Sequence, residues 1–181
     1  MTRGARVFAN LLLVALVALA AVVIWDHTRA PPPAPPALVP LEGRIDRILI
    51  EKGARRLTVF REDEALRSYR IALGFAPDGN KQRQGDGRTP EGLFRIDRRN
   101  PESAYHLSLG IDYPQPDDIT RARAEGVSPG GDIFIHGQPN GYDLVPTLPY
   151  DWTAGCIAVS DDEIRELWRV TPVGTMVEIR P

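Results

Sequence analysis

A second cysteine is what this chain most conspicuously lacks. Its 181 residues hold one, Cys156, so no disulfide can form within the chain. Clusters of Lys or Arg are missing too, and the net charge is only -2. That balance argues against nucleic acid as a partner. No internal repeat is present. The turn Gly85-x-Gly87 lacks the Lys-Ser/Thr and the strand–helix context of a phosphate loop. His106, Asp132 and His136 match none of the compact zinc spacings, so neither a metal nor a cofactor is expected. Hydrophobic residues make up 43% of the chain, enough to fill a core in one domain with an appendage.

What is present begins with an apolar stretch from Val7 to Trp25, interrupted only by Asn10. Arg3 and Arg6 precede it, and as a helix it would span about 28 Å. Residues 1–6 read as a cytoplasmic n-region. Residues 7–25 read as a transmembrane anchor, or in the rival reading as a signal peptide cleaved near Ala18-Leu19-Ala20. Either way the remainder is exported, held at the outer side of the membrane by the helix or released beyond it. Residues 26–42 form a proline-rich linker. Within it Ala30–Pro40 would reach about 30 Å as polyproline II. His27 reads as solvated beside the apolar stretch.

Residues 43–181 read as the folded domain. Short runs rich in Ile, Leu, Val and Tyr predict strands at Arg44–Glu51, Arg56–Phe60, Leu66–Leu73, Gly92–Asp97, Asp132–His136 and Thr175–Ile179. A helix is expected over Asp117–Glu125, closed by Gly126. A second follows the capping box Ser160-Asp161-Asp162-Glu163 and stops at Pro172. The pattern predicts a mainly antiparallel β-sandwich or barrel with one or two helices packed outside.

A lone thiol in an exported chain points to an intermolecular bridge or to a reactive group. A thiol attacks as thiolate, and an imidazole can take its proton to give a thiolate–imidazolium pair. His136 ends the apolar run Ile133-Phe134-Ile135 and is the candidate base. A main-chain carbonyl is the candidate to orient its ring. Gly137 permits a sharp turn there and a close substrate approach. Gly155 leaves room for a substrate carbonyl beside N–H donors, as an oxyanion hole requires. The helix start at Ser160 adds a weak positive field. The long loop between His136 and Cys156 carries Tyr142, Tyr150 and Trp152, placed either to wall a donor site or to cap the core edge. Arg83 and Arg88 flank the Gly85 turn and suit a substrate carboxylate. His106 reads as a hydrogen-bonded strand histidine.

His136-Gly137, the loop, and Thr153-Ala154-Gly155-Cys156-Ile157 together resemble the L,D-transpeptidase catalytic domain, or YkuD, family. Thr89-Pro90-Glu91-Gly92 and Ser128-Pro129-Gly130-Gly131-Asp132 extend the resemblance, which covers roughly 43–180 and is similar to its exported murein transpeptidase-like subgroup. The resemblance implies a β-sandwich of mixed sheets. It implies that Cys156 attacks a peptidoglycan stem peptide, releases D-Ala and forms a thioester that an amine resolves. His136 would move the protons. Gly155, Gly137 and Thr153 would serve the oxyanion and substrate. Ala158 stands where many members carry Arg, and Ala154 where many carry His, so acceptor choice is open. The alternatives are a cysteine amidase cutting peptidoglycan–peptide or peptidoglycan–lipoprotein links with water, and a non-catalytic wall-binding module.

Overall fold

The computed structural model describes residues 3–28, 39–141 and 148–181. Most of the proline-rich linker, together with Tyr142 and Pro146 of the long loop, lies outside the described residues. The chain divides into two units, Met1–Val39 and Pro40–Pro181.

In the first unit, helix α1 runs over Arg3–Thr28. Among the described residues no helix is long and apolar enough to cross a membrane. The transmembrane anchor expected over 7–25 therefore finds no support.

In the second unit the strands are β1 (Arg47–Glu51), β2 (Arg56–Arg61), β3 (Glu64–Arg70), β4 (Gly92–Ser103), β5 (His106–Ile111), β6 (Phe134–His136), β7 (Ile157–Ala158) and β8 (Met176–Arg180). They form one eight-stranded sheet in the order β3-β2-β1-β8-β4-β5-β6-β7. The pairs β1–β8 and β6–β7 are parallel and the others antiparallel. The sheet is thus mixed, as the family resemblance implies, and less antiparallel than the strand pattern alone suggests. The reason is that β8 and β7 each follow a long excursion and enter beside a strand running the same way.

Strand β4 is the hinge of this sheet. Its first residues pair with β8 and its later ones with β5. Its charged second half, Arg98 to Ser103, and all of β5 are absent from the expected strands. At the far end, Ala72 leaves β3 and bonds back to Ala158 of β7, N–H to O in both directions, at 2.9 and 2.8 Å. The two edges of the sheet are joined there, which removes an exposed edge beside the site. Alternate residues point inward and are fully buried, among them Ile48, Ile50, Leu57, Val59, Ile96, Leu109, Ile135 and Ile157.

The two expected helices are present. Helix α2 (Pro116–Ala124) ends in Gly126 at φ 68°. The Gly126 N–H reaches the Arg123 carbonyl, and the Val127 N–H reaches that of Ala122, a glycine-closed helix end. Helix α3 (Asp161–Val170) starts at Ser160, with both bonds of the Ser160–Glu163 capping box made. Its buried Ile164, Leu167 and Val170 pack on the sheet face that includes β5 and β6.

Candidate active site

Strand register brings the two sequence-selected side chains together. In the parallel pair, Ile135 faces Ile157 and His136 faces Ala158. Ile135 and Ile157 are wholly buried on the core side. Strand alternation then turns His136 and Cys156, the residue before Ile157, to the opposite face. Both line one cavity of about 260 Å³, with Tyr105, Ser108, Asp132 and Phe134.

His136 is 3% exposed. Tyr105 covers its ring at a centroid distance of 4.5 Å, and Trp152 meets it edge-on at 5.7 Å. The ring Nδ1 lies 2.7 Å from the Gly137 carbonyl oxygen. A carbonyl only accepts, so Nδ1 carries the hydrogen and Nε2 keeps its lone pair. Burial pushes the ring pKa down to about 4, against a smaller upward effect of that bond.

Cys156 is half-buried. Its thiol donates to the Asp132 main-chain oxygen at 3.4 Å. Burial raises its pKa. The Phe134 N–H, Lys81 and Arg98 act in the opposite sense, while the Asp132 carboxylate raises it further. Both shifts favour the neutral thiol and the neutral imidazole over the ion pair, because each charged form would lose its water.

The turn before the nucleophile is tied internally. The Thr153 hydroxyl accepts the Gly155 N–H at 3.1 Å and donates to the Cys156 carbonyl at 2.7 Å. The turn is also anchored outward, with Thr153 N–H to Leu73 O at 3.1 Å and Phe75 N–H to Thr153 O at 2.9 Å. Gly155 has φ 135°, and a Cβ there would stand 2.6 Å from the Arg88 carbonyl oxygen. Only glycine suits that position. A Cβ on Gly137 would stand 2.5 Å from Asp161 Oδ1.

Thr153, Gly155 and Gly137 thus shape the site, but their polar groups are spoken for. The Gly137 N–H reaches the Tyr105 and Leu107 carbonyls. The Cys156 N–H has no hydrogen-bond partner among the described residues, so it is a donor available to an oxyanion.

Other candidates lie elsewhere. Arg83 and Arg88 give their main-chain N–H groups to Asp86, which also holds Lys81 at 2.8 Å. Burial pushes the Asp86 carboxyl up, but these donors outweigh it and leave its pKa at about 2. Neither arginine lines the cavity of Cys156. His106 bonds to Arg165 and Asn140. The start of α3 spends its first N–H groups on its own capping box and carries three acidic residues, so it adds little positive field at Cys156. Tyr150 lines a neighbouring groove with Phe75 and Leu148. Tyr105 and the Asp132 carbonyl were not foreseen in these places. Each reaches the site through strand pairing and loop geometry, which leave no local motif.

The YkuD family, described as the L,D-transpeptidase catalytic domain, matches residues 45–179. YafK of Escherichia coli (strain K12), provisionally named an L,D-transpeptidase, is 32% identical over 108 residues, 59% of this chain and 37% of YafK. YqjB of Bacillus subtilis (strain 168), provisionally named likewise, is 28% identical over 133 residues, 73% of this chain and 69% of YqjB. In fold, the chain is similar to the helical cell shape determining protein Pgp2 from Campylobacter jejuni. The TM-score is 0.59 at 24% identity, covering 77% of this chain and 48% of that one. The chain therefore spans well under two thirds of YafK and of Pgp2.

Proposed function

The chain belongs to the L,D-transpeptidase catalytic domain family, and from that premise we propose that it is a cysteine-dependent L,D-transpeptidase acting on peptidoglycan stem peptides through a thioester. One observation carries the reading: His136 and Cys156 line the same cavity, and His136 presents a lone pair at Nε2 because Nδ1 is fixed to the Gly137 carbonyl. Residues 43–181 are the catalytic part, and the substrate places it outside the cytoplasmic membrane.

His136 Nε2 takes the thiol proton as the Cys156 sulfur attacks the donor carbonyl. The Cys156 N–H stabilises the oxyanion. The C–N bond to the terminal D-Ala breaks, and its nitrogen takes the proton from the imidazolium. An acceptor amine enters, gives a proton to Nε2 and attacks the thioester. The sulfur leaves as thiolate and recovers that proton. A new amide and a free thiol result. All of these steps use this chain's own groups.

Incubation of the 43–181 domain with disaccharide tetrapeptide tests the reading. Cross-linked dimers with loss of D-Ala are expected, and Cys156→Ser should abolish them. Free stem peptide without dimers means that water is the acceptor and the enzyme is a hydrolase. No turnover and no covalent adduct of Cys156 with a carbapenem would leave a wall-binding module.

A further inference from the structure

The Cys156 sulfur lies 3.4 Å from the Asp132 main-chain oxygen, which accepts its hydrogen bond. Asp132 has φ 54°, in the left-handed region. Asp tolerates that region better than most residues. Its carboxylate is held at 3.0 Å by Arg98, which also pairs with Asp97 and lies over the Phe134 ring, 4.5 Å from its centroid. One side of the cavity mouth is therefore a brace from β4 to the segment leading into β6.

Resting on the proposed function above, we infer that Asp132, braced by Arg98, is a positioning residue whose main-chain carbonyl holds the Cys156 thiol hydrogen in the resting site until a bound substrate turns the thiol toward His136. The carbonyl is a hydrogen-bond acceptor and favours the neutral thiol. The Phe134 N–H on the same segment favours the thiolate. Adjacent peptide groups thus suit the two states that the sulfur must adopt. The charged or titratable groups acting on the sulfur are Asp132, Lys81 and Arg98, with His136 lining the same cavity. Holding the neutral form at rest slows reaction of the thiol with stray oxidants and electrophiles, since the thiolate is the reactive species.

Because the chain has one cysteine, its S–H infrared stretch reports this bond alone. Asp132→Ala disfavours the left-handed backbone and removes the brace. The band should move toward that of a free thiol, and iodoacetamide should alkylate Cys156 faster at fixed pH. Asp132→Asn, which tolerates the same backbone, should restore the wild-type band. His136→Ala should leave the band in place. A band that moves in His136→Ala but not in Asp132→Ala puts the hydrogen on the imidazole and overturns the inference; a band unmoved in both also overturns it. If Asp132→Ala lacks a folded circular dichroism spectrum, Arg98→Met supplies the same reading with the residue-132 side chain intact. The band is read without turnover, so it can fail while transpeptidation stands, or hold where no dimers form.

Discussion

The Thr153 hydroxyl donates to the carbonyl of Cys156 at 2.7 Å while accepting the Gly155 N–H at 3.1 Å. One small side chain thereby closes the turn that presents the sulfur. Thr153→Val keeps the shape and removes both bonds. Unmade buried bonds cost about 1–3 kcal/mol, and a displaced nucleophile costs roughly 10- to 100-fold in rate. Steady-state turnover should fall by that factor in Thr153→Val and recover in Thr153→Ser. Equal turnover in all three proteins would show that the turn holds without the hydroxyl.

The buried histidine gives the fold a pH signature. His136 titrates near 4 when folded, below the 6.5 of an unburied ring. As pH falls through 6.5, the unfolded ring gains a proton that the folded ring refuses until about pH 4. Stability from this group is complete above pH 6.5 and is lost as the pH falls toward 4. The loss by pH 4.5 is about 2–3 kcal/mol. Urea unfolding at pH 7 and pH 4.5 should show that difference in the wild type and a smaller one in His136→Gln. Identical differences would mean that the ring is not held neutral.

The same residue sets the rate profile of the thiol. With its base already deprotonated above pH 5, alkylation of Cys156 should rise steadily with pH between 5 and 8, with no inflection from the imidazole, toward an ionisation above the ordinary cysteine value. His136→Ala should lower transpeptidation roughly 10²- to 10⁴-fold, the usual worth of a general base. A bell centred near neutrality would instead indicate an ion pair at rest.

What could be read from residues alone was what local spacing dictates. The Ser160–Glu163 box and Gly126 each act within one helical turn, so both helices were legible. Strands with apolar alternation, such as β1 and β2, were too. Strand β7 has only two residues and exists because Ile135 on one side and Ala72 on the other pair with it. Nothing within Ile157-Ala158 announces that. Strand β5 carries His106 and Gly110, which weaken its pattern, yet its pairing with β6 places Ser108 opposite His136 and in the cavity. His136 and Cys156 stood out because few residue types can do this chemistry. Tyr105 did not, since a tyrosine beside a histidine is a matter of packing.

The closure between Ala72 and Ala158 should behave as a structural joint. Ala72→Pro removes the N–H that reaches Ala158 O at 2.9 Å and leaves a buried carbonyl unpaired. The expected cost is about 1–3 kcal/mol, or about 3–12 °C in melting temperature for a domain of this size. Calorimetry on the 43–181 domain measures it. An unchanged melting temperature would mean that the sheet edge is held by other contacts.

Asp151 links stability to the aromatic wall of the site. Its carboxylate takes the Leu73 N–H at 2.8 Å and two nitrogens of Arg55, the closest contact being 2.7 Å. The next residue, Trp152, lies against His136 and Tyr105. Asp151→Ala leaves a guanidinium and an N–H without their acceptor. The pair is partly exposed, at 31% and 19%, so the cost is about 1–3 kcal/mol rather than the larger penalty of a sealed pair. Turnover should also drop roughly tenfold, because Trp152 loses the anchor that sets its ring. Asp151→Asn keeps an acceptor for Leu73 and should lie between. Trp152→Ala should reproduce the loss of turnover with a smaller loss of stability. If Asp151→Ala unfolds earlier yet turns over at the wild-type rate, the clamp supports the fold and has no part in holding the catalytic ring.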